Sequence, residues 1–333
     1  MLEIEKDGKA VEEQKEPSAI RRFRRFLQGS RLLPVPRLPC ACSALKRLPF
    51  SSALHGRSPA SPPASFPSPD EVRALGTLVR TCANDRRVWR IEWEGVKMYV
   101  KEGQDADEGE AKITELARIS TGLPIPRVYH VENDGDSTFI YLEALSGKHL
   151  SVVYWNLPRS QQRALARDMK RVIQRLHKVK APPGTRVGGF GRNPLSALFA
   201  ELDVSPSLFS SSELNAFLRQ SFVDKSPDRA DEYDNDIAPR IPDHAPLVLV
   251  HGDLWADNIL VKDGRISAII DFERAGFLPA WIEAVPVARQ LHSPSVHDLM
   301  LMEVLIGKRA VERKEWKWMT KAGFAWLKLP EKS

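Results

Sequence analysis

The residues able to do chemistry in this 333-residue chain gather between Leu247 and Glu273, LVLVHGDLWADNILVKDGRISAIIDFE. Asp253, Asn258 and Asp271 supply two carboxylates and an amide. These are hard oxygen ligands that suit Mg²⁺ held against phosphates. They meet only if the chain between them folds back. Val248 to Val250 are β-branched or aliphatic and read as a short buried strand leading into the loop. Ile259 to Val261 and Arg265 to Ile270 read as two more strands, joined by the turn signal Lys262-Asp263-Gly264. Asp271 closes the second, so the hairpin returns it to the mouth where Asp253 and Asn258 sit. Asp257 reads as solvation of the loop. A hairpin whose Asp and Asn only cap turns would account for any one of these residues, but less well for all of them at fixed spacing. A metallophosphatase site of the G-D-x-x-D kind is one residue too short for Gly252-Asp253 and Asp257. It also lacks its upstream Asp-x-His and downstream Gly-Asn-His.

His251-Gly252-Asp253-Leu254 with Asn258, followed by Ile269-Ile270-Asp271-Phe272-Glu273, resembles the catalytic loop and metal-binding segment of the aminoglycoside phosphotransferase/choline kinase group. These are relatives of protein kinases, whose pattern is H-R-D-x-x-x-x-N and then D-F-G. Gly252 stands for the Arg and Glu273 for the Gly, as is usual among small-molecule members. Among them the chain resembles a fungal-type phosphotransferase of unassigned substrate. The resemblance covers about residues 70 to 310. It implies an α+β, protein-kinase-like fold of two lobes: a small antiparallel sheet with one helix at 70–145, binding the nucleotide, and a larger, mainly helical lobe at 146–333 carrying the catalytic loop, metal and substrate. It implies ATP and Mg²⁺, with the γ-phosphate passing to a hydroxyl of a small molecule. Asp253 would orient that hydroxyl and take its proton. Asn258 and Asp271 would hold Mg²⁺, while His251 buttresses the loop.

The elements upstream fit that frame. A helix capped by Ser68 or Asp70 runs to about Leu78. Val88 to Trp93 and Val96 to Lys101 alternate around Glu94-Gly95 as a hairpin, putting Lys97, Tyr99 and Lys101 on one face. Asp107 to Ser120 reads as a helix carrying Glu110, Ile113 and Ala117 on one stripe. Lys101 and Glu110 match the kinase ion pair in which Lys steadies the α/β-phosphates. As a lone pair they would be an ordinary surface contact. Gly122-Leu-Pro-Ile-Pro126 stops the helix, a strand follows to about Tyr129, and Thr138 to Glu143 forms the next. The resemblance makes Glu143 to Leu145 the hinge whose backbone meets the adenine edge. An ordinary strand end is the plainer alternative.

Beyond Ser146, Gln161 to Lys178 is an amphipathic helix with Leu165, Met169, Val172, Ile173 and Leu176 on one side. His177, at its C-terminal end, reads as structural. Gly188-Gly189-Phe190-Gly191 is a loop and no phosphate cradle. A helix is expected near Ser212 to Phe222. Asp228, Asp231, Glu232, Asp234 and Asp236 read as a solvated loop, or less readily as a lid that would suit a cationic acceptor. Family members often carry a Pro and an acid after the metal segment, which makes Glu283 a support of the catalytic loop. Val285 to Leu291 and Val296 to Leu305 read as helices, and Trp316, Trp318, Phe324 and Trp326 as packing residues.

Composition narrows the function classes. Residues 1–17 carry six acids and three bases, and residues 18–65 nine bases and no acid. The net +6 therefore belongs to the first 65 residues, and 66–333 balances. The folded part lacks the basic excess of a nucleic-acid binder. Ten of the 25 prolines fall in residues 1–69, which read as a Pro/Ser/Arg-rich disordered tail. Ile20 to Leu27 could form a basic amphipathic helix at a membrane surface, though the acids before it argue against an organellar leader. No apolar run approaches the roughly 18 residues of a membrane span. Cys40, Cys42 and Cys82 form neither a disulfide framework nor a metal spacing, which favours a reducing, cytoplasmic setting. Oligomeric state is not legible.

Three departures from the family support an alternative, a catalytically impaired kinase-fold binding or regulatory protein. The loop near Thr81 to Arg87, which should cover phosphates, holds no glycine. Tyr99 is bulky beside Lys101, and Trp255 is bulky in the catalytic loop.

Overall fold

The computed structural model describes residues 61–81, 86–103, 108–190, 195, 206–290 and 296–308. Strands β1 (Thr77–Thr81), β2 (Arg87–Trp93), β3 (Val96–Gly103), β4 (Val128–Asn133) and β5 (Thr138–Glu143) form an antiparallel sheet in the order β1-β2-β3-β5-β4. Glu94 and Gly95 both take positive φ in the β2–β3 turn, which matches the right-handed strand twist. β3 is central. Met98 and Val100 point into a core with Val72, Ile91, Phe139 and Tyr141. Period two then turns Tyr99 and Lys101 to the other face.

Helix α1 (Pro69–Leu75) starts with a capping box: Ser68 N–H donates to Glu71 at 2.8 Å while Glu71 N–H donates to Ser68 Oγ at 3.4 Å. It ends three residues before the expected Leu78. Gly76 is extended, and Thr77–Thr81 joins the sheet as an edge strand. Every residue of β1 is exposed, so no hydrophobic alternation announced it. Packing also begins earlier than Asp70. Phe66 stacks on His130 with centroids 4.9 Å apart, and Tyr141 donates to the Pro67 carbonyl at 2.7 Å. Ala64 N–H donates to Glu94 at 2.6 Å. The Ser/Pro/Ala composition of this strap concealed it. The tail to residue 60, all three cysteines and the C-terminal tryptophans lie outside the described residues.

Helix α2 (Glu108–Thr121) buries Ala111, Ile113 and Ala117 and stops at Gly122 in the left-handed region. Beyond β5 come β6 (Lys148–His149), α3 (Leu150–Val153), α4 (Arg159–Lys178) and α5 (Ser211–Lys225). β7 (Leu247–Val250) pairs with β10 (Gly276–Pro279), while β8 (Ile259–Lys262) sits between β6 and β9 (Arg265–Ile269). Helices α6 (Val285–Gln290) and α7 (Val296–Ile306) follow. The apolar stripe of α4 is buried against β7, β9 and α7. Its core also takes in Ala117, Leu123 and Ile125 from the α2 region. The fold is the α+β, two-lobe kinase-like architecture.

The stretch after α5 differs from the expected solvated loop. Pro227–Arg240 runs through successive short helical turns, burying Tyr233 and Ile237 beside Phe217 and Phe222. Tyr233 and Ile237 are four residues apart and so share a helical face, a signal that the surrounding acids masked. Glycines 188 and 189 do form a connecting backbone segment. Gly188 exchanges two hydrogen bonds of 2.9 Å with Phe277. Among the described residues, no helix is long and apolar enough to cross a membrane.

Candidate active site

Lys101 extends from β3 to two acids. Its Nζ donates to Glu110 Oε1 of α2 at 2.6 Å and to Asp271 Oδ1 at 2.7 Å. One ammonium thus ties the sheet, the adjacent helix and the segment after β9 together. Burial disfavours the Lys101 charge, but Asp271, Glu110 and Glu273 outweigh it and its pKa is raised. Burial also opposes ionisation of Asp271, yet Lys101 wins and the carboxyl is held below its usual range. Burial dominates at Glu110, which is pushed up. Asp271 has φ 69°, a left-handed backbone that costs a non-glycine residue of order 1 kcal/mol or more. That turn takes the chain out of β9 and presents the carboxylate to Lys101.

The hairpin turn behind it is built as expected, with Asp263 and Gly264 both at positive φ. In the loop between β7 and β8, Asn258 is buried and its Nδ2 donates to the Asp253 carbonyl at 2.9 Å and to Asp253 Oδ2 at 3.3 Å. With the nitrogen committed to the loop, Asn258 Oδ1 is the acceptor left for a ligand. The Ile270 N–H donates to the Asn258 carbonyl at 3.0 Å, so the two ends of the β8–β9 hairpin stay together. Asp253 is pushed above its ordinary value by burial, reinforced by Asp271 and Glu273 and opposed by Arg274. Arg274 Nη1 stands 3.8 Å from Asp253 Oδ1.

Glu283 lies wholly buried under this loop. It accepts the N–H groups of His251 at 3.0 Å and Gly252 at 3.1 Å, and His177 Nε2 is 3.5 Å away. Burial alone would raise its pKa. His177, His251 and the amides outweigh that and lower it. His251 Nε2 bonds the Ile270 carbonyl at 3.0 Å, and its ring packs on Phe272. Gly252 turns at φ 75°.

Lys101, Glu110, Asp253, Asn258, Asp271, His251 and Glu283 therefore form one connected network. Glu143 and Leu145 stand apart from it, at the end of β5. Glu143 pairs with Met98 and accepts the Arg127 N–H at 3.2 Å, and Ala144 N–H reaches the Lys97 carbonyl at 3.4 Å as the chain leaves the sheet. Sequence reasoning passed over Arg86 and Arg274, and read His177 only as structural and Asp257 only as solvating the loop. Arg86 meets Glu273 at 2.5 Å, Arg274 faces Asp253, and His177 faces Glu283. Asp257 takes bonds from Ser151 and, at its carbonyl, from His149. Arg86 and Arg274 carried no periodic or motif signal. His177 had one, its place on the helix that packs against β7. Among the described residues, no group of three or more His, Cys, Asp or Glu side chains is arranged to hold a metal ion. A cation here would need oxygen atoms from elsewhere.

The model of the phosphotransferase enzyme family matches residues 82–301. An aminoglycoside 3'-phosphotransferase of Enterococcus faecalis is 24% identical over 213 residues, spanning 62% of this chain and 75% of that one. Among solved structures, the apo form of a thermostable mutant of aminoglycoside phosphotransferase APH(4)-Ia superposes with a TM-score of 0.50 at 18% identity, covering 75% of this chain and 84% of that one. The streptomycin-ATP-APH(2")-IIa ternary complex gives 0.49 at 15% identity, over 73% and 80%. With the family match spanning most of the chain, on a kinase-like fold, this chain belongs to the phosphotransferase enzyme family and is a small-molecule kinase.

Proposed function

We propose that the chain transfers the γ-phosphate of ATP to a hydroxyl of a small molecule, with Asp253 as the base and Mg²⁺ held by Asn258 and Asp271. The observation that carries this is Lys101 bonded at once to Glu110 and Asp271. It sets a cation for the phosphates beside a carboxylate for the metal. The donor set fits Mg²⁺, which is commonly bound by one or two carboxylates together with substrate phosphates and water. Asp271 offers that carboxylate and Asn258 Oδ1 a neutral oxygen. When bound, the ion would neutralise charge on the β- and γ-phosphates.

Each remaining part is the chain's own. Lys101, braced by Glu110, draws the nucleotide's anionic oxygens to the β3 face. The backbone from Glu143 to Leu145 meets the adenine edge. Asp253 accepts a hydrogen bond from the acceptor hydroxyl and takes its proton as the O–P bond forms. Its raised pKa suits it to that task. Glu283, through the amides of His251 and Gly252, holds Asp253 in register, and His251 ties the loop to Ile270. Positioning and fixed charge do most of the work in such transfers. Arg219 and Arg229 already pair with Asp234 and Glu232, which weakens the case for a cationic acceptor. The acceptor class we retain is a hydroxyl. Cysteine usage favours a cytoplasmic setting.

The test is ATP consumption across a panel of hydroxyl compounds, aminoglycosides, sugars and amino alcohols included, beside Asp253→Asn. Acceptor-dependent turnover that the variant loses supports the proposal. ATP binding without turnover on any acceptor would favour the second reading, an impaired kinase-fold binding protein. One observation speaks for that reading: Tyr99, half-buried, shares the face of Lys101 where the nucleotide would lie.

A further inference from the structure

We infer that Arg86 is a phosphate-binding residue of the nucleotide site, oriented by Glu273. The inference rests on the nucleotide reading above and adds a residue to it. Arg86 immediately precedes β2, and Val88, two residues on, pairs with Lys101 of β3. Side chains two apart on extended chain face the same way, so Arg86 and Lys101 leave the sheet from one face on neighbouring strands. Their partners confirm it: Lys101 reaches Asp271 at 2.7 Å and Arg86 Nη1 reaches Glu273 Oε2 at 2.5 Å. Two cations from one lobe thus meet two acids set two residues apart in the other.

The Arg86 guanidinium is not used up. Five N–H donors are fixed in a planar fork that fits phosphate oxygens, and Glu273 engages the group through Nη1. Arg86 Nε is buried and has no acceptor among the described residues, a cost a bound anion would relieve. Glu273 lies two residues beyond Asp271, which Lys101 reaches at 2.7 Å, and just before Arg274, which stands 3.8 Å from Asp253, so the Arg86 head sits on the segment that carries these groups. The sequence supplies the reason such a residue is needed. The segment from Thr81 to Arg87 contains no glycine, and glycine is what lets backbone amides close on phosphates. A guanidinium at the end of that segment can supply from a side chain what those amides supply elsewhere. Glu273 fixes its direction.

The experiment is Mg-ATP and AMP binding by calorimetry, with steady-state KM for ATP, on wild type, Arg86→Gln, Arg86→Lys, Glu273→Ala and the Arg86→Gln/Glu273→Ala double variant. Melting temperatures without nucleotide verify folding. The expected result is a loss of about tenfold or more in Mg-ATP affinity for Arg86→Gln, with AMP affinity within about twofold of wild type. Arg86→Lys should fall between, because it keeps charge without the fork. Glu273→Ala should weaken ATP less, and combining it with Arg86→Gln should add nothing beyond Arg86→Gln alone. Wild-type ATP affinity retained in Arg86→Gln overturns the inference and leaves the nucleotide reading standing. Equal losses for ATP and AMP overturn it as well, since they mark a structural role. A wild type that binds neither nucleotide overturns the nucleotide reading and this inference with it.

Discussion

As the proposed base, Asp253 would have to stay ionised to accept a proton, although its surroundings favour the neutral form. Burial, Asp271 and Glu273 push it up, and Arg274 at 3.8 Å opposes them. The acid limb of kcat/KM should therefore lie above the ordinary aspartate value of 3.8, with activity lost as the pH falls through it. Arg274→Gln should move that limb further up. Replacing Asp253 by Asn should cost about 10² to 10⁴ in kcat with Mg-ATP affinity nearly unchanged. A parallel loss of ATP binding would show that Asp253 shapes the nucleotide pocket instead. Glu283 has the reverse bias. Its folded pKa is depressed, so it stabilises above the unfolded glutamate value of about 4.3, and that contribution fades as the pH drops through the folded value. Glu283→Ala should cost about 2–4 kcal/mol in denaturant titration at neutral pH, because two buried amides lose their acceptor. Its stability should also fall less steeply than wild type as the pH drops from the unfolded glutamate value towards the folded one. That Asp253, Asn258 and Asp271 come together was legible because they belong to a motif with fixed spacing. Arg86 and Arg274 were not: an arginine with no motif takes its meaning from what folding places opposite it.

At the scale of elements, the hairpin Ile259–Ile269 and the exchange between Gly188 and Phe277 set where the loops end. A Cβ on Gly276 would stand 2.3 Å from the Gly188 carbonyl carbon, and backbone cannot yield as a side chain does. Gly276→Ala should thus destabilise by about 1–3 kcal/mol, read as a lower midpoint in urea. An unchanged midpoint would mean that the β10 crossing relaxes freely. Gly188 and Gly189 read as a loop in sequence, yet their close approach to Gly276 could not be seen without the partner strand. Strands with alternation, such as β2 and β3, and helices with an apolar stripe, such as α4, were legible within two residues. β1 was not, since an exposed edge strand has no face to encode. The turns at Pro227–Arg240 were missed because a buried Tyr233 and Ile237 among five acids read as solvent-facing composition.

Across the molecule, the strap before α1 decides where the packed chain starts. Phe66, Pro67 and Ser65 grip the sheet at His130, Tyr141 and Glu94, whereas composition set the edge at Asp70. Removing residues 1–60 should leave the melting temperature and kinase activity within error. Removing residues 1–67 should lower the melting temperature by several degrees, since about 1–2 kcal/mol of packing is worth that in a domain of this size. Equal melting temperatures for the two truncations would show that the strap adds nothing to stability. The family's two lobes are joined at the site by Lys101–Asp271 and Arg86–Glu273, so what binds there reports on the whole fold. The most direct measurement of the central claim is thermal stabilisation by ATP with and without Mg²⁺, for wild type and Asp271→Ala. A ligand at a hundredfold excess over Kd stabilises the native state by about 2.7 kcal/mol. The account predicts a Mg²⁺-dependent upward shift in the wild type that Asp271→Ala loses. A folded wild type with no shift, or a shift equal in the variant, would contradict it.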